Sequence, residues 1–228
     1  GAAPTGGVVN TGLNFVRANN NGESGGVFNL NGGTINLLAL ANNTFTGNGI
    51  DGLQIINSQG GLFQTPSTED NDFSNNTRAG LFIGGNGAAP GVARARTNLG
   101  QVEGNNFNRN TSGTMGIQFD SLDVLTTAVL RQNTFIGRAG AAQGIGGRVD
   151  GTVGVVPQGG VFLDLAAVDA ATANTFQANG DAHIGLVLQG NTVNQITVAN
   201  HTLNNAVDLP GTVDFQGEGI GYVLRDTA

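Results

Sequence analysis

The chain contains no cysteine, no tryptophan and no lysine, and its 9 basic residues, all arginine, are outnumbered by 16 acidic residues. The lack of cysteine excludes disulfides, thiolate metal sites and a cysteine nucleophile, and it leaves the cellular compartment open. With a net charge of −7 and no basic cluster, neither nucleic acid nor an anionic membrane is expected as a partner. No apolar run approaches the roughly 18 residues of a membrane helix, so we expect no membrane insertion.

Helical periodicity is also nearly absent from the sequence. Apolar residues instead alternate with polar ones in runs of about three to five residues, as at 27–30 and 161–165. Glycine, at 39 of 228 residues, and asparagine separate these runs, and both suit tight turns. The apolar fraction of 39% is enough to fill a narrow core. The sequence therefore predicts an all-β chain.

One short motif repeats along the sequence: Asn, then Phe two residues later, then Gly and an alternating apolar pair. Five copies occur, and His201-Thr202-Leu203 is a degenerate sixth. The paired residues are Asn43 and Phe45, Asn71 and Phe73, Asn105 and Phe107, Asn133 and Phe135, and Asn174 and Phe176. Successive copies lie 28, 34, 28, 41 and 27 residues apart. Such a recurrence indicates a solenoid whose repeats stack on their neighbours.

The repeat predicts a structural role for each of its residues. The Phe side chains are expected to point inward and stack on one another. The Asn residues are expected at a sharp bend, because Asn tolerates left-handed backbone angles and its amide both donates and accepts hydrogen bonds. At a coil spacing of about 4.8 Å these amides would form a ladder along the axis. His201 is expected to continue the ladder through a ring nitrogen.

The strand that follows each Gly is expected to alternate between core and surface, with the Gly itself at a turn that a side chain would obstruct. The residues expected inside are Leu53, Ile55, Leu81, Ile83, Ile117, Phe119, Leu186 and Leu188. The residues expected outside are Gln54, Phe82, Gln118, Gly146 and Val187. A minimal coil needs roughly 20 residues or slightly more, so we expect the surplus to form loops at 61–70, 84–98 and 138–160.

The Asn-x-Phe motif followed by Gly-[Ile/Leu]-x-[Ile/Leu] resembles the coil repeat of the pectate-lyase-like superfamily. This resemblance implies a single right-handed parallel β-helix of about seven coils. It is clearest over residues 40–190, so 1–40 and 190–228 are expected to be divergent terminal coils of one domain spanning 1–228. The hexapeptide rhythm of a left-handed β-helix and the blade signature of a β-propeller are both missing.

Members of this superfamily include polysaccharide lyases, hydrolases and epimerases, phage tailspikes and surface adhesins. The Asn-Thr-Asp, Asp-Asp and Gly-His-Gly segments of its polygalacturonase-like branch do not occur here, nor does the Asp-Pro-His segment of its alginate epimerases. The outward row, which such lyases often use, has no charge. Tyr222 and Phe82 are the aromatics expected at the surface, so little sugar stacking is expected.

One position beyond the outward row, Asp120 and Arg148 are expected on neighbouring coils, with Asp123 and Asp150 close by. They are candidates for a surface site that binds a sugar or a metal ion, and the alternative is an exposed ion pair of little energetic consequence. Further acidic runs lie at 69–72 and 164–169, where calcium could be bound; the alternative at 69–72 is a solvated turn. His183 is expected to be a turn residue.

These features favour a non-catalytic extracellular module, structural or adhesive, from a larger secreted or cell-surface protein of bacterial type. No cofactor is expected, apart from calcium as described above. A polysaccharide or another surface protein is the expected partner. The alternative function is a polysaccharide-active enzyme or carbohydrate-binding β-helix with a groove between the 84–98 and 138–160 loops.

Overall fold

The structure, a computed structural model, describes residues 7–86, 94–108, 115–137, 144–152, 159–177, 182–190, 192–204 and 218–225. In chain order the strands are β1 (Val8–Asn14), β2 (Gly26–Asn31), β3 (Thr34–Ala41), β4 (Asp51–Ser58), β5 (Leu62–Gln64), β6 (Ser67–Glu69), β7 (Ala79–Asn86), β8 (Ala95–Glu103), β9 (Met115–Leu122), β10 (Val124–Arg131), β11 (Thr134–Ile136), β12 (Ile145–Gly151), β13 (Gly160–Ala166), β14 (Thr175–Gln177), β15 (Ala182–Gly190), β16 (Gln195–Ala199), β17 (Thr202–Asn204) and β18 (Glu218–Arg225). The described part of the chain contains no helix, and hence none able to cross a membrane. The prediction of an all-β protein is confirmed.

The strands form three sheets in which every pairing between described strands is parallel. Sheet A has the order β1-β3-β5-β8-β10-β13-β16, with β6 between β3 and β8. Sheet B has the order β11-β14-β17, and single bridges extend it through Arg17, Thr44, Asp72 and Asn106. Sheet C has the order β18-β15-β12-β9-β7-β4-β2.

The chain visits the three sheets in turn, and this order explains why all the pairings are parallel. From β3 in sheet A it passes through the bridge at Thr44 in sheet B to β4 in sheet C, and it then returns to sheet A at β5. Each strand thus pairs with the strand one circuit earlier and the strand one circuit later, since parallel strands require a crossover connection. This arrangement is compatible with a β-helix.

Left-handed residues turn the chain from sheet A toward sheet B. Asn42, Asp70 and Gln132 have φ angles of 56°, 52° and 55°. Each directly precedes an Asn of the repeat, so the left-handed position lies one residue earlier than we predicted. The motif Asn is free to extend its amide along the stack because its neighbour makes the bend. Asn, Asp and Gly are favoured at such positions because they tolerate positive φ.

A single apolar cluster fills the space between the three sheets. It includes side chains from sheet A such as Leu40 and Leu130, from sheet C such as Leu53 and Ile117, and the motif Phe residues. The predicted inward positions are confirmed for all four apolar pairs, which are buried. The predicted loops at 84–98 and 138–160 lie about half outside the described residues, and their described parts belong mainly to strands β7, β8 and β12 rather than to loops. The 61–70 segment forms the two short strands β5 and β6 instead of a loop.

Candidate functional site

The buried Asn residues form a continuous ladder between sheets A and B. Each Oδ1 accepts the backbone N–H and the side-chain N–H of the Asn one circuit earlier, at 2.8–3.0 Å. Each Nδ2 also donates to a carbonyl oxygen of a sheet A strand, for example Asn105 to Thr68 at 2.7 Å and Asn133 to Val102 at 2.8 Å. The ladder predicted from the repeat is therefore present, and its amides are satisfied although they are buried.

His201 occupies the sixth rung with both of its ring nitrogens. Its Nδ1 accepts the backbone N–H of Asn174 at 3.1 Å, and its Nε2 meets the carbonyl oxygen of Leu165. The ring thus reproduces the acceptor and the donor of an Asn amide, which requires the neutral tautomer with the proton on Nε2. At the other end of the ladder, the backbone N–H of Val16 donates to Asn43 Oδ1 at 2.9 Å, so the circuit before Asn43 contributes a backbone group and no side-chain amide.

A second Asn ladder, which we did not predict, runs between sheets B and C. Asn48 Oδ1 accepts from Asn21 at 2.9 Å, and Asn76 Oδ1 accepts from Asn48 at 3.0 Å. Asn76 then donates to the carbonyl oxygens of Phe45 and Phe73. The sequence contained a signal for it, since Asn recurs five residues after the motif Asn in Asn48 and Asn76. The two ladders together fix both turns that flank the short strands of sheet B.

The five Phe rings of the motif form a column beside the first ladder. Successive ring centroids lie 5.6, 5.2, 5.0 and 4.8 Å apart, and neighbouring planes differ by 11° or less. At the far end of the column, Phe176 contacts His183 and His201. His183 is fully buried within β15, so the prediction that it is a turn residue is wrong. Its place next to a column of aromatic rings makes it part of the core.

The Gly residues of the repeat, predicted at a turn, instead lie at the second position of strands β4, β7 and β9, where they allow close stacking of neighbouring circuits. A Cβ on Gly52 would lie 2.5 Å from the carbonyl oxygen of Gly80, and one on Gly116 would lie 2.6 Å from that of Gly144. None of these Gly residues has a positive φ angle. The reason for Gly here is therefore contact with the next turn rather than a special backbone angle.

The predicted outward row of sheet C is only partly confirmed. Gln54, Phe82 and Gln118 lie side by side in register. Gly146 is buried and is the partner of Gly185, whereas Val187 is the partner of Arg148, so these two do not continue one uncharged row.

One member of the outward row is covered by another side chain. Phe82 is only 7% exposed, because the guanidinium of Arg78 lies over its ring at 4.0 Å. Arg78 in turn holds the buried carboxylate of Asp51, which also accepts from Gln54 at 2.7 Å. The prediction that Phe82 is an exposed aromatic is wrong, whereas Tyr222 is exposed at 42% as predicted.

The structure brings together three of the four residues proposed for a surface site. Arg148 lies in register beside Asp120, and its Nε donates to Asp150 at 2.8 Å. The hydrogen bond that Arg148 donates to Asp150, and the negative charge of Asp150, raise the pKa of the Arg148 guanidinium, so the guanidinium stays protonated. Asp123 is close by, as predicted, since its backbone N–H donates to the carbonyl oxygen of Asp150 at 3.0 Å, but its side chain is buried at the turn between β9 and β10 and accepts the N–H of Thr152 at 2.8 Å.

The acidic residues of the two candidate calcium runs, 69–72 and 164–169, lie in other parts of the fold. Asp70 is exposed at a left-handed bend, as expected of a solvated turn. Asp164 lies on β13 and pairs with Arg131 at 3.0 Å, while Asp169 accepts backbone N–H groups of the following turn. Within the described ranges no group of three or more His, Asp or Glu side chains is placed to hold a metal ion. Calcium binding at 69–72 or 164–169, and sugar or metal binding at Asp120 and Asp150, stay predictions.

The geometry assigns different roles to different parts of the surface and interior. The buried ladder amides have hydrogen-bond partners, and the Phe rings are packed in the core. These side chains therefore hold the turns together and are not placed to bind a ligand. The Asp120–Arg148–Asp150 cluster is exposed and offers carboxylate oxygens to solvent. Comparison with protein-family models, with characterised proteins and with solved structures found no match, and function is therefore inferred from the chain's own geometry.

Proposed function

We propose that the chain is a single right-handed parallel β-helix of about seven coils, and that it serves as a non-catalytic structural or adhesive module of a larger protein. The observation that supports this most directly is the uninterrupted ladder of buried amides from Asn43 to His201. Each circuit is tied to the next by side chains as well as by strands. Such a body resists bending, which suits a spacer or an adhesive rod.

The surface of sheet C further supports a non-catalytic role. Glycoside hydrolysis uses two carboxyl groups about 5–10 Å apart across the scissile bond. Here Asp51 is neutralised beneath Arg78, and Asp123 is buried in a turn. Asp150 is held by Arg148, which leaves Asp120 without a second free carboxylate in the described part of this surface.

The proposed setting is the outside of a bacterial-type cell, in a secreted or cell-surface protein. The acidic composition and the absence of lysine favour a polysaccharide or another surface protein as partner over nucleic acid. The absence of cysteine is compatible with this setting, because stacked turns stabilise the fold and no disulfide is needed.

Two measurements test this proposal together. Circular dichroism should show a β-type spectrum without substantial helix, as a solenoid of short parallel strands requires; its body of seven coils at the usual strand spacing would be about 34 Å long. Incubation with uronic-acid and neutral polysaccharides, each with and without calcium, should release no new reducing ends or unsaturated products. Substantial helix would contradict the fold, and turnover of any polymer would contradict the non-catalytic role.

A polysaccharide-active or carbohydrate-binding protein is the second candidate, and the register of Asp120 beside Arg148 favours it. A carboxylate and a guanidinium on adjacent strands can together contact a sugar hydroxyl and an anionic group. A ligand that binds the folded state raises the melting temperature by mass action. A polymer-dependent rise in melting temperature that is lost in Asp120→Ala, with Asp72→Ala as the matched control, would replace the structural module by this candidate.

A further inference from the structure

The outer face of sheet A presents a regular row of uncharged side chains, of which five are amides, one is a hydroxyl and one is aromatic. Seven strands each contribute one residue to the row, and each residue is the register partner of the next. In order, the members are Asn10, Asn36, Gln64, Asn98, Thr127, Phe162 and Gln195. We call this set the amide row. At the usual strand spacing it extends over about 29 Å.

Hydrogen bonds along the amide row fix the orientation of its side chains. Asn36 Nδ2 donates to Asn10 Oδ1 at 2.7 Å, and Gln64 Nε2 donates to Asn36 Oδ1 at 2.7 Å. Thr127 Oγ1 donates to Asn98 Oδ1 at 3.1 Å. A primary amide has two N–H donors and an oxygen with two lone pairs. Asn98 Oδ1 also accepts the N–H of Gly100 at 3.0 Å, so both of its lone pairs are used and its Nδ2 supplies the donors that can point away from the sheet. The other amides of the row keep acceptors as well as donors.

Two open cavities lie end to end over the amide row. One has a volume of 480 Å³ and includes Thr127, Phe162 and Gln195 in its lining, and the other has a volume of 410 Å³ and includes Asn36 and Gln64. Asn98 lines both, so the cavities meet there. Each volume lies within the range of about 300–1,000 Å³ that is typical of ligand sites. Together they form one groove that crosses the strands.

The groove is uncharged except at one end. Its residues include no arginine, and its single acid is Asp164, which is already paired with Arg131. A hydrogen bond from the N–H of Ala166, with that of Arg131, lowers the pKa of Asp164, so the carboxylate stays ionised near neutral pH. An anionic ligand would meet no cation in the groove and would be repelled by this carboxylate. Half-buried Phe162 supplies an apolar surface beside the amides.

We propose that the amide row binds an extended, neutral glycan chain. Hydroxyl groups both donate and accept hydrogen bonds, as amides do, so an uncharged chain of sugars matches a repeated row of amides with no charge to compensate. The ring of Phe162 faces the C–H surface of a sugar, and Asp164 accepts from hydroxyl groups while it excludes uronic acids. This inference rests on the proposed function in one respect: the glycan is held and not cleaved.

Isothermal titration of the whole chain with neutral hexasaccharides, cellohexaose and mannohexaose, tests the proposal, with hexagalacturonate as the anionic counterpart. We expect at least one neutral hexasaccharide to bind and hexagalacturonate not to bind. Asn98→Ala, which alters both cavities, and Phe162→Ala should each weaken binding at least tenfold. Gln118→Ala, an uncharged amide on the outward row of sheet C, is the matched control and should bind as the parent chain does. Circular dichroism of each variant checks that its fold is unchanged.

The outcomes separate this inference from the proposed function. Failure of every neutral hexasaccharide to bind, preference for hexagalacturonate, or equal binding by Asn98→Ala would overturn the glycan groove and leave the structural module intact. A dimer in light scattering that Asn98→Ala dissociates would also overturn it, because a second copy would then cover the face. Recovery of shortened sugars by mass spectrometry would instead contradict the non-catalytic role while the groove stands.

Discussion

At the scale of single residues, the ladder shows how a polar side chain becomes a stabilising part of a core. Asn105 accepts two hydrogen bonds from Asn71 and donates to Asn133 and to two carbonyl oxygens. A hydrogen bond gains only about 1 kcal/mol net, but a buried group that loses its partner costs about 1–3 kcal/mol. The ladder therefore makes each Asn difficult to replace.

Replacement of Asn105 by alanine should be strongly destabilising. It would leave the N–H groups of Asn71 without their acceptor inside the core, so we expect the free energy of unfolding to fall by about 2–4 kcal/mol. Urea denaturation followed by circular dichroism measures this. Asn29→Ala, at an exposed position of β2, is the control and should change stability by less than about 0.5 kcal/mol. Equal effects of the two substitutions would show that the ladder contributes little.

His201 provides a second prediction at this scale, because a histidine stands where the repeat has Asn. His201→Asn should keep both hydrogen bonds of the rung, whereas His201→Leu should lose them. Hydrogen exchange of the Asn174 backbone N–H, which donates to this ring, reports the difference directly. We expect protection to be retained in the first variant and reduced at least tenfold in the second. Retained protection in His201→Leu would mean that the ring does not hold the rung.

At the scale of strands, the separation between turns decides which residues are allowed. Gly116 lies against the carbonyl oxygen of Gly144 and the ring of Phe135. Strands in a sheet are about 4.8 Å apart, and the space between Gly116 and the neighbouring circuit cannot hold a methyl group.

Gly116→Ala should consequently destabilise the protein. The added Cβ would lie 2.7 Å from Phe135 Cδ1, and overpacking of this kind typically costs about 1–3 kcal/mol. Gly22→Ala is the control, because a Cβ there has nothing within 4 Å. It should be neutral or slightly stabilising, by up to about 1 kcal/mol. Thermal denaturation compares the two, and a smaller loss for Gly116→Ala than for Gly22→Ala would contradict the packing argument.

Across the outer face of sheet A, the pair Arg131–Asp164 links β10 and β13 and gives a pH-dependent prediction. The pKa of Asp164 is lowered from its ordinary value of 3.8 by the N–H of Ala166 and by Arg131. The stabilisation is therefore complete above that ordinary value, and it is lost as the pH falls through the lower folded-state pKa. Since the pair is partly exposed, Asp164→Asn should cost less than about 1 kcal/mol at neutral pH.

Urea denaturation at neutral pH and at about pH 2 measures this difference. The gap between the parent chain and Asp164→Asn should narrow at the lower pH, because the parent carboxylate is then protonated. Arg131→Gln and the double variant complete a cycle that isolates the pairwise energy. A gap of the same size at both values would show that the carboxylate charge is not what stabilises the fold here.

At the scale of the whole molecule, the structural features that repeat in each circuit could be predicted from the sequence, whereas the features that occur once could not. The Asn and Phe of the motif recur in five successive circuits, so the ladder and the parallel sheets follow from sequence. The burial of His183 and the cover over Phe82 depend on side chains far apart in sequence. So does the groove on sheet A, since Gln64 and Asn98 become neighbours only because the residues between them complete one circuit.

Stacking in one dimension also predicts an uneven distribution of stability. Each circuit contacts only the one before and the one after, so circuits at the ends have support on one side alone. Protection of backbone N–H groups against hydrogen exchange should therefore be greatest near Asn71 and Asn105. It should decrease toward Val16 and Asn174. Mass spectrometry of exchanged peptides measures this profile, and uniform protection would mean that the whole chain opens in a single step.

The unequal spacing of the ladder residues has a consequence for how such a chain can change in length. Although 28, 34, 28, 41 and 27 residues separate successive rungs, the rungs remain in register. A duplicated or deleted gene segment of one circuit would leave every other circuit as it was and would lengthen or shorten the body by one strand spacing of about 4.8 Å. The length of the body therefore changes only by whole circuits, and insertions within one circuit leave that length unchanged.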